Sequence, residues 1–182
     1  NLLKSYEIFG SHIVRYPECD GVRFVVWAPN AAAVSVIGNF NHWIHGAHPM
    51  INVNDSGIWE LFIPGIGSNE VYKYAIKTET GDVIEKTDPY AVKSELRPRT
   101  GAIVYKSNYQ WNDQEWEKKR VFSNASDEPI SIYEVHLASW MRGEDGGYLK
   151  YKVLAEKLVS YLKPSAFTHI EILPIMEYPF DG

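Results

Sequence analysis

The chain has 182 residues, enough for one domain or for one domain and part of another. Its 45% hydrophobic and 23% charged content is that of a globular protein, and no apolar run is long enough to span a bilayer, so no membrane partner is expected. A net charge of −5 with scattered Lys and Arg argues against nucleic acid, whose phosphates need a basic face, and suits a neutral polymer better.

Cys19 is the only cysteine, which excludes an intrachain disulfide and favours a reducing, cytoplasmic setting; no signal-peptide pattern is visible. From about residue 20 to 107 the text reads as short strands punctuated by turn residues. Val22 to Trp27 stops at Pro29-Asn30, Val34 to Ile37 follows, and Ile58 to Ile63 stops at Pro64-Gly65. Between Val71 and Lys77 the side chains alternate. Tyr72, Tyr74 and Ile76 share one face, and Val71, Lys73, Ala75 and Lys77 the other. Thr80-Gly81-Asp82 is a hairpin turn, and Ile103 to Tyr105 a closing strand. Strands this short and regularly spaced predict an all-β first part, an immunoglobulin-like antiparallel β-sandwich. Asp88-Pro89-Tyr90 and Arg97-Pro98-Arg99 read as a loop pinned to its surface.

The stretch Gly38-Asn39-Phe40-Asn41-His42-Trp43 places an indole beside two amides directly after a strand. Aromatic faces lie against the apolar C–H face of a pyranose, and amides both donate to and accept from hydroxyls, so this is sugar-binding chemistry. A Trp capping the core beside an Asn-rich turn is the other reading of these six residues. Trp27 and Trp59 are expected to pack in the core or between domains. His42, His45 and His48 recur every three residues, but in a loop and without Cys or a carboxylate at ligand spacing, so solvated histidines rather than a metal site are expected.

Trp111 to Trp116 predicts a helix start capped by Asn112 or Asp113, with Trp111 and Trp116 docking the helix; Ser123 to Pro129 has linker composition. Beyond it the pattern changes. Ile130 to Leu137 reads as a strand, Tyr151 to Leu162 as a helix with an apolar stripe at Tyr151, Leu154, Ala155, Leu158, Val159 and Leu162 ended by Pro164, and Phe167 to Pro174 as a second strand. Strand, helix, strand is a βαβ unit with parallel strands. Two strands and one helix leave sheet faces uncovered, which predicts the first segment of a larger α/β domain and self-association through residues 130 to 174. The divisions are therefore 1–107 for the sandwich, 108–128 for a helical linker and 129–182 for the α/β start.

Taken together, several of these stretches resemble the 1,4-α-glucan branching enzymes of glycogen synthesis, within the α-amylase superfamily. Gly21 to Ala31 with Gly38 to Trp43 is similar to their N-terminal glycogen-binding module. Lys86 to Ala91 with Glu95-Leu96-Arg97-Pro98 resembles the connection leading out of it. Ile132 to Trp140 and Phe167 to Gly182 resemble the first two strands of the catalytic (β/α)8 barrel. The departures are Ala138 for a usual Gly, Pro164-Ser165-Ala166 for a Gly-containing helix end, and Tyr178 for a usual His.

The resemblance implies α-glucan as partner, whether glycogen, amylose or a maltooligosaccharide. It implies a parent glycosyltransferase moving α-1,4 segments to 6-hydroxyls through a covalent intermediate, with a carboxylate nucleophile, a second carboxylic acid as general acid/base and a third carboxylate holding the distorted sugar, and with no metal or organic cofactor. Those carboxylates belong to later barrel strands, so no catalytic residue is assigned here and the chain alone is expected to be inactive. Trp43 matches the stacking Trp and Lys73 a hydroxyl-binding Lys, with Asn39 and Asn41 in the same motif. A second Trp is replaced by Val83-Ile84, and an expected Asn near Gly101-Ala102 is missing, which predicts weak binding. Trp140, Tyr178 and Asp181 are cleft or interface candidates. Glu134, His136, His169 and Glu171, alternating along the two barrel strands, are expected to form a polar layer rather than acid/base machinery. A non-catalytic glycogen-binding scaffold and a debranching or trehalose-releasing hydrolase remain as alternatives.

Overall fold

In the computed structural model the described residues are 2–123 and 128–175. The chain forms two compact units, the first reaching Asn108 and the second beginning at Tyr109. Strands dominate the first unit. They are β1 (Gly10–Arg15), β2 (Asp20–Trp27), β3 (Ala31–Gly38), β4 (Ile51–Asn52), β5 (Ile58–Pro64), β6 (Val71–Thr78), β7 (Val83–Lys86), β8 (Lys93–Ser94) and β9 (Ala102–Ile103).

The order β1-β2-β5-β4 makes one antiparallel sheet; β3-β6-β9-β8, with β7 also on β6, makes the other. The two-residue period of a strand assigns the faces. Val22, Phe24 and Val26 of β2 and Trp59 and Ile63 of β5 meet Val34 and Val36 of β3 and Tyr72 and Tyr74 of β6 in one buried core. Each such side chain contributes roughly 1.5–3 kcal/mol by leaving water. The same alternation corrects one expectation. Trp27 follows Val26 and therefore points the opposite way, leaving it 64% exposed, while Trp59 is buried and donates its indole N–H to the Ala28 carbonyl at 3.0 Å.

Three strands were not foreseen from the sequence. β1, preceded by a 3-10 turn over Leu2–Glu7, mixes polar and apolar residues, and β4 and β8 are two-residue strands. Val83–Lys86 is the return strand of the hairpin that Thr80-Gly81-Asp82 turns, pairing with Tyr74 to Lys77.

Asp88 sits inside the sandwich rather than on its surface. Its Oδ2 accepts from the Tyr72 hydroxyl at 2.6 Å and the Tyr74 hydroxyl at 3.1 Å, and its Oδ1 from the Tyr90 backbone N–H at 2.8 Å. Burial raises the Asp88 carboxyl above the usual carboxylate value, and these three donors oppose that shift.

The second unit holds α1 (Gln114–Ser123), β10 (Ile132–Val135), α2 (Leu137–Trp140), α3 (Tyr151–Leu162) and β11 (His169–Ile172). β10 and β11 pair in parallel, Ile132 opposite His169 and Val135 opposite Ile172, and α3 lies between them in sequence. Val135, Leu158 and Leu162 form its buried core, with Tyr133, Leu137 and Trp140 packed against it. α1 starts at Gln114, with the Glu117 N–H bonded to the Asp113 carbonyl. Trp111 and Trp116 do not dock it. Both are exposed; Trp111 meets Tyr109 edge-on, and the Arg120 guanidinium lies over the Trp116 ring at 5.6 Å.

Burial, followed by the neighbouring Asp88 charge, pushes the Tyr72 and Tyr74 hydroxyls well above the ordinary tyrosine value. Because the folded values are the raised ones, this stabilisation is complete below a pH of about 10 and is lost as pH rises through the folded values. Urea unfolding at about pH 8 and about pH 11 should show stability falling at the higher pH, and falling less in Tyr74→Phe. An equal fall in that variant would contradict the assignment.

Candidate functional site

The site grows from the end of β3. After Gly38 the chain makes a 3-10 turn over Asn39–Asn41, and His42 and Trp43 then take left-handed φ values of 54° and 60°. A turn this tight needs its backbone groups satisfied locally. Asn41 does most of that. It is 7% exposed, accepts the Gly38 N–H on Oδ1 at 2.9 Å, and donates from Nδ2 to the Val36 carbonyl and to His48 Nδ1, each at 2.9 Å. The expectation that Asn41 contacts glucan is therefore corrected: its amide is spent inside the turn and positions the site.

Gly38 is required by closeness rather than by φ. A Cβ there would strike the Val71 carbonyl oxygen and the Phe40 ring, pushing β3 away from β6.

What the turn presents is Trp43. Its backbone N–H bonds the Gly38 carbonyl at 3.0 Å, and its indole N–H donates to Asn39 Oδ1 at 3.0 Å, so the ring is held at both ends. Asn39 keeps its amide NH2 for other partners. Lys73 of β6 stands opposite Ile37 of β3, its side chain 20% exposed. Its ammonium lies 3.7 Å from Glu85 Oε2, and Glu85 Oε1 bonds His45 Nε2 at 2.9 Å. The His45 hydrogen bond holds the Glu85 carboxyl below its ordinary value; burial, the next largest effect, opposes it, and the Lys73 charge adds to the lowering.

Asn39, Trp43 and Lys73 line one depression of about 470 Å³, completed by Val71, Glu95, Pro98, Arg99 and Thr100. Three of the four residues expected from the sequence are thus brought together. Glu85, Glu95, Arg99 and Thr100 were missed as site residues, because they come from other elements and no spacing links them to Trp43. The position after Gly81-Asp82 offers only Val83 and Ile84, apolar and without a ring.

The other candidates fall elsewhere. Among the described residues no group of His, Cys, Asp and Glu is arranged to hold a metal ion; His45 and His48 are engaged as described. Trp140 packs in its own unit, donating to the Tyr133 hydroxyl at 3.0 Å and meeting Tyr161 edge-on. Tyr178 and Asp181 lie outside the described residues.

The polar layer expected along the barrel strands is not formed. Glu134 stands opposite Glu171, while His136 bonds Ser139 and His169 bonds Thr168; among the described residues no hydrogen bond or ion pair joins those four side chains. A mainly apolar depression of about 420 Å³ next to His136, lined also by Tyr148, Tyr151 and Leu173, has no carboxylate among its described lining residues. It offers no acid and nucleophile pair.

Two sheets thus share one core, and a Trp, an amide and a Lys converge on one polar depression. Residues 8–91 match the family described as carbohydrate-binding module 48, the isoamylase N-terminal domain. The chain is 49% identical over 178 residues to a 1,4-alpha-glucan branching enzyme of Bacillus cereus, covering 97% of this chain, and 49% identical over 179 residues to that of Bacillus anthracis, covering 98%. It spans 28% of the length of these relatives. The family match over residues 8–91 and the branching-enzyme relatives, matched along nearly the whole of this chain, agree with the resemblance its motifs carry.

Solved structures agree on the fold. A Klebsiella pneumoniae pullulanase complexed with maltotriose superposes with a TM-score of 0.64 at 24% identity, covering 91% of this chain and 17% of that one. A multi-modular glycogen-degrading pneumococcal virulence factor superposes at 0.69 with 20% identity, covering 94% and 20%.

The Asn41 amide gives the site prediction. Asn41→Ala leaves the Gly38 N–H without its acceptor and should cost about 2 kcal/mol in urea unfolding. A loss below about 0.5 kcal/mol would show that the turn does not depend on it.

Proposed function

We propose that this chain is the glucan-holding part of a 1,4-α-glucan branching enzyme, and that its β-sandwich binds α-glucan at the depression formed by Trp43, Asn39 and Lys73. The observation that carries the reading is the Trp43 indole, fixed by Asn39 beside Lys73 on a strand end. A rigid aromatic face next to a cation and an amide is the arrangement a pyranose with its hydroxyls requires.

The parent enzyme cleaves an α-1,4 bond and passes the released segment to a 6-hydroxyl, and the 49% identity to branching enzymes supports that activity over hydrolysis. Residues 1–107 act as the carbohydrate module, 108–128 as a helical linker and 129–182 as the opening of a (β/α)8 barrel. The parallel β10–α3–β11 unit supports that last assignment. On this reading the chain alone has no branching activity, since its described barrel strands supply no carboxylates flanking a cleft. The single exposed cysteine supports a reducing cytoplasm, and among the described residues no helix is long and apolar enough to cross a membrane.

The binding reading is tested by titrating the protein with maltoheptaose while following Trp fluorescence. With only one stacking ring, binding should be weak, in the range of about 0.1–10 mM, and Trp43→Ala should abolish it. Submicromolar affinity untouched by that substitution would overturn the assignment. A second consequence concerns β11. Ile170 and Ile172 lie level with Tyr133 and Val135 on the strand face that α3 covers beside β10, yet both stay exposed. That strip supports self-association through residues 130–174, so sedimentation should show dimers or larger species at high micromolar concentration. A monomer throughout would contradict it.

A further inference from the structure

We propose that Glu95 and Arg99, on the segment joining β8 to β9, form the second wall of the glucan platform, Arg99 as a hydroxyl-binding residue and Glu95 as the positioning residue that holds it. The inference rests on the reading of Trp43 and Lys73 as glucan ligands and extends it. In the depression, Asn39 and Trp43 come from the turn after β3 and Val71 and Lys73 from β6; Glu95, Pro98, Arg99 and Thr100 close the far side.

Glu95 is tied down. Its side chain is 14% exposed, its Oε2 accepts the Gly101 N–H at 3.1 Å, and its Oε1 lies 3.6 Å from the Arg99 guanidinium. Gly101 itself leaves no room for a side chain, because a Cβ there would strike Val71 Cγ1 and the Glu95 carboxylate. The segment is thereby clamped against β6, and Glu95 is fixed by the chain rather than by Arg99 alone.

Arg99 is the opposite case: 78% exposed, anchored to Glu95 at one end and lining the cavity. A guanidinium carries five N–H donors in a planar fork, of which one carboxylate engages at most two, so donors remain for acceptors across the depression. Neighbouring hydroxyls of a sugar ring are spaced to accept from such a fork.

A second depression, of about 620 Å³, shares Val71, Glu95, Pro98 and Arg99 with the first and continues to Lys93, Ser94, Leu96 and Ile103. Glu95 and Arg99 therefore stand on the divide between two contiguous hollows, where an extended chain leaving the Trp43 ring would cross. Polar contacts at that divide take the place of the stacking ring that Val83 and Ile84 do not supply.

Calorimetric titration of the 182-residue protein with maltotriose and maltoheptaose tests this, with Arg99→Ala, Glu95→Gln, the double variant and Trp43→Ala, each checked by thermal unfolding. Arg99→Ala should weaken maltoheptaose roughly five- to tenfold, as expected for charge-assisted hydrogen bonds, and maltotriose less. Its melting temperature should stay unchanged, since an exposed ion pair contributes little. Glu95→Gln keeps an acceptor for Gly101 but removes the charge facing Arg99, and should weaken binding in the wild-type background while adding nothing to Arg99→Ala. Binding lost in Trp43→Ala but unchanged in Arg99→Ala and Glu95→Gln would overturn this inference and leave the Trp43 reading standing. No binding by the wild type, or binding unchanged in Trp43→Ala, would overturn that reading and this inference with it.

Discussion

The side-chain amide of Asn41 closes the end of β3, and the placement of Asn39 and Trp43 on the candidate glucan surface depends on that closure. Three hydrogen bonds from one buried amide tie Gly38, Val36 and His48 together. With the turn so held, the chain can place His42 and Trp43 in left-handed backbone conformations, which side chains such as tryptophan avoid unless their surroundings enforce them. The strain fixes the indole on a strand end instead of letting it fold back on the core. Gly38 completes the device, because only a residue without a Cβ lets β3 and β6 approach where Val71 and Phe40 crowd the strand.

β6 links that surface to the interior. Its inward residues Tyr72 and Tyr74 end on the carboxylate of Asp88, and its outward residue Lys73 ends beside Glu85 and His45. The strand therefore carries a buried polar network on one face and a solvent-facing ion chain on the other, the first closed by Asp88 and the second by Glu85, which His45 also engages. Buried networks of this kind specify one register at the cost of tolerance, since a slip by one residue would bury Lys73 and expose both tyrosines. Lys73 reaches the depression because Tyr72 and Tyr74 cannot be anywhere but inside.

The sequence revealed β2, β3, β5 and β6 because apolar alternation and Pro or Gly stops mark them, and α3 because Leu154, Leu158 and Leu162 recur on one stripe. β1 was hidden by its mixed composition, and β4 and β8 by their two-residue length. That Trp43, Asn39 and Lys73 come together at one depression could be read in advance from the motif and the resemblance. The true work of Asn41 could not, because an amide that binds sugar and an amide that locks a turn look alike in one dimension. Glu95 and Arg99 were invisible as site residues for a related reason: the fold brings them to Trp43 across more than fifty residues, and only the packing of Gly101 on Val71 shows that the segment is clamped there. The polar layer expected from Glu134, His136, His169 and Glu171 failed differently. Alternation placed the two acids on facing positions, but the register sets them against each other, a pairing that two strands alone cannot neutralise.

On the proposed reading, this chain holds glucan and leaves bond exchange to other parts of the enzyme it matches. Incubating the purified 182-residue protein with amylose and counting α-1,6 linkages after debranching or by NMR, alongside a pull-down on the same amylose, tests that division most directly. The account predicts amylose retained through Trp43 with no new branch points. Branch points formed by this chain alone would contradict it.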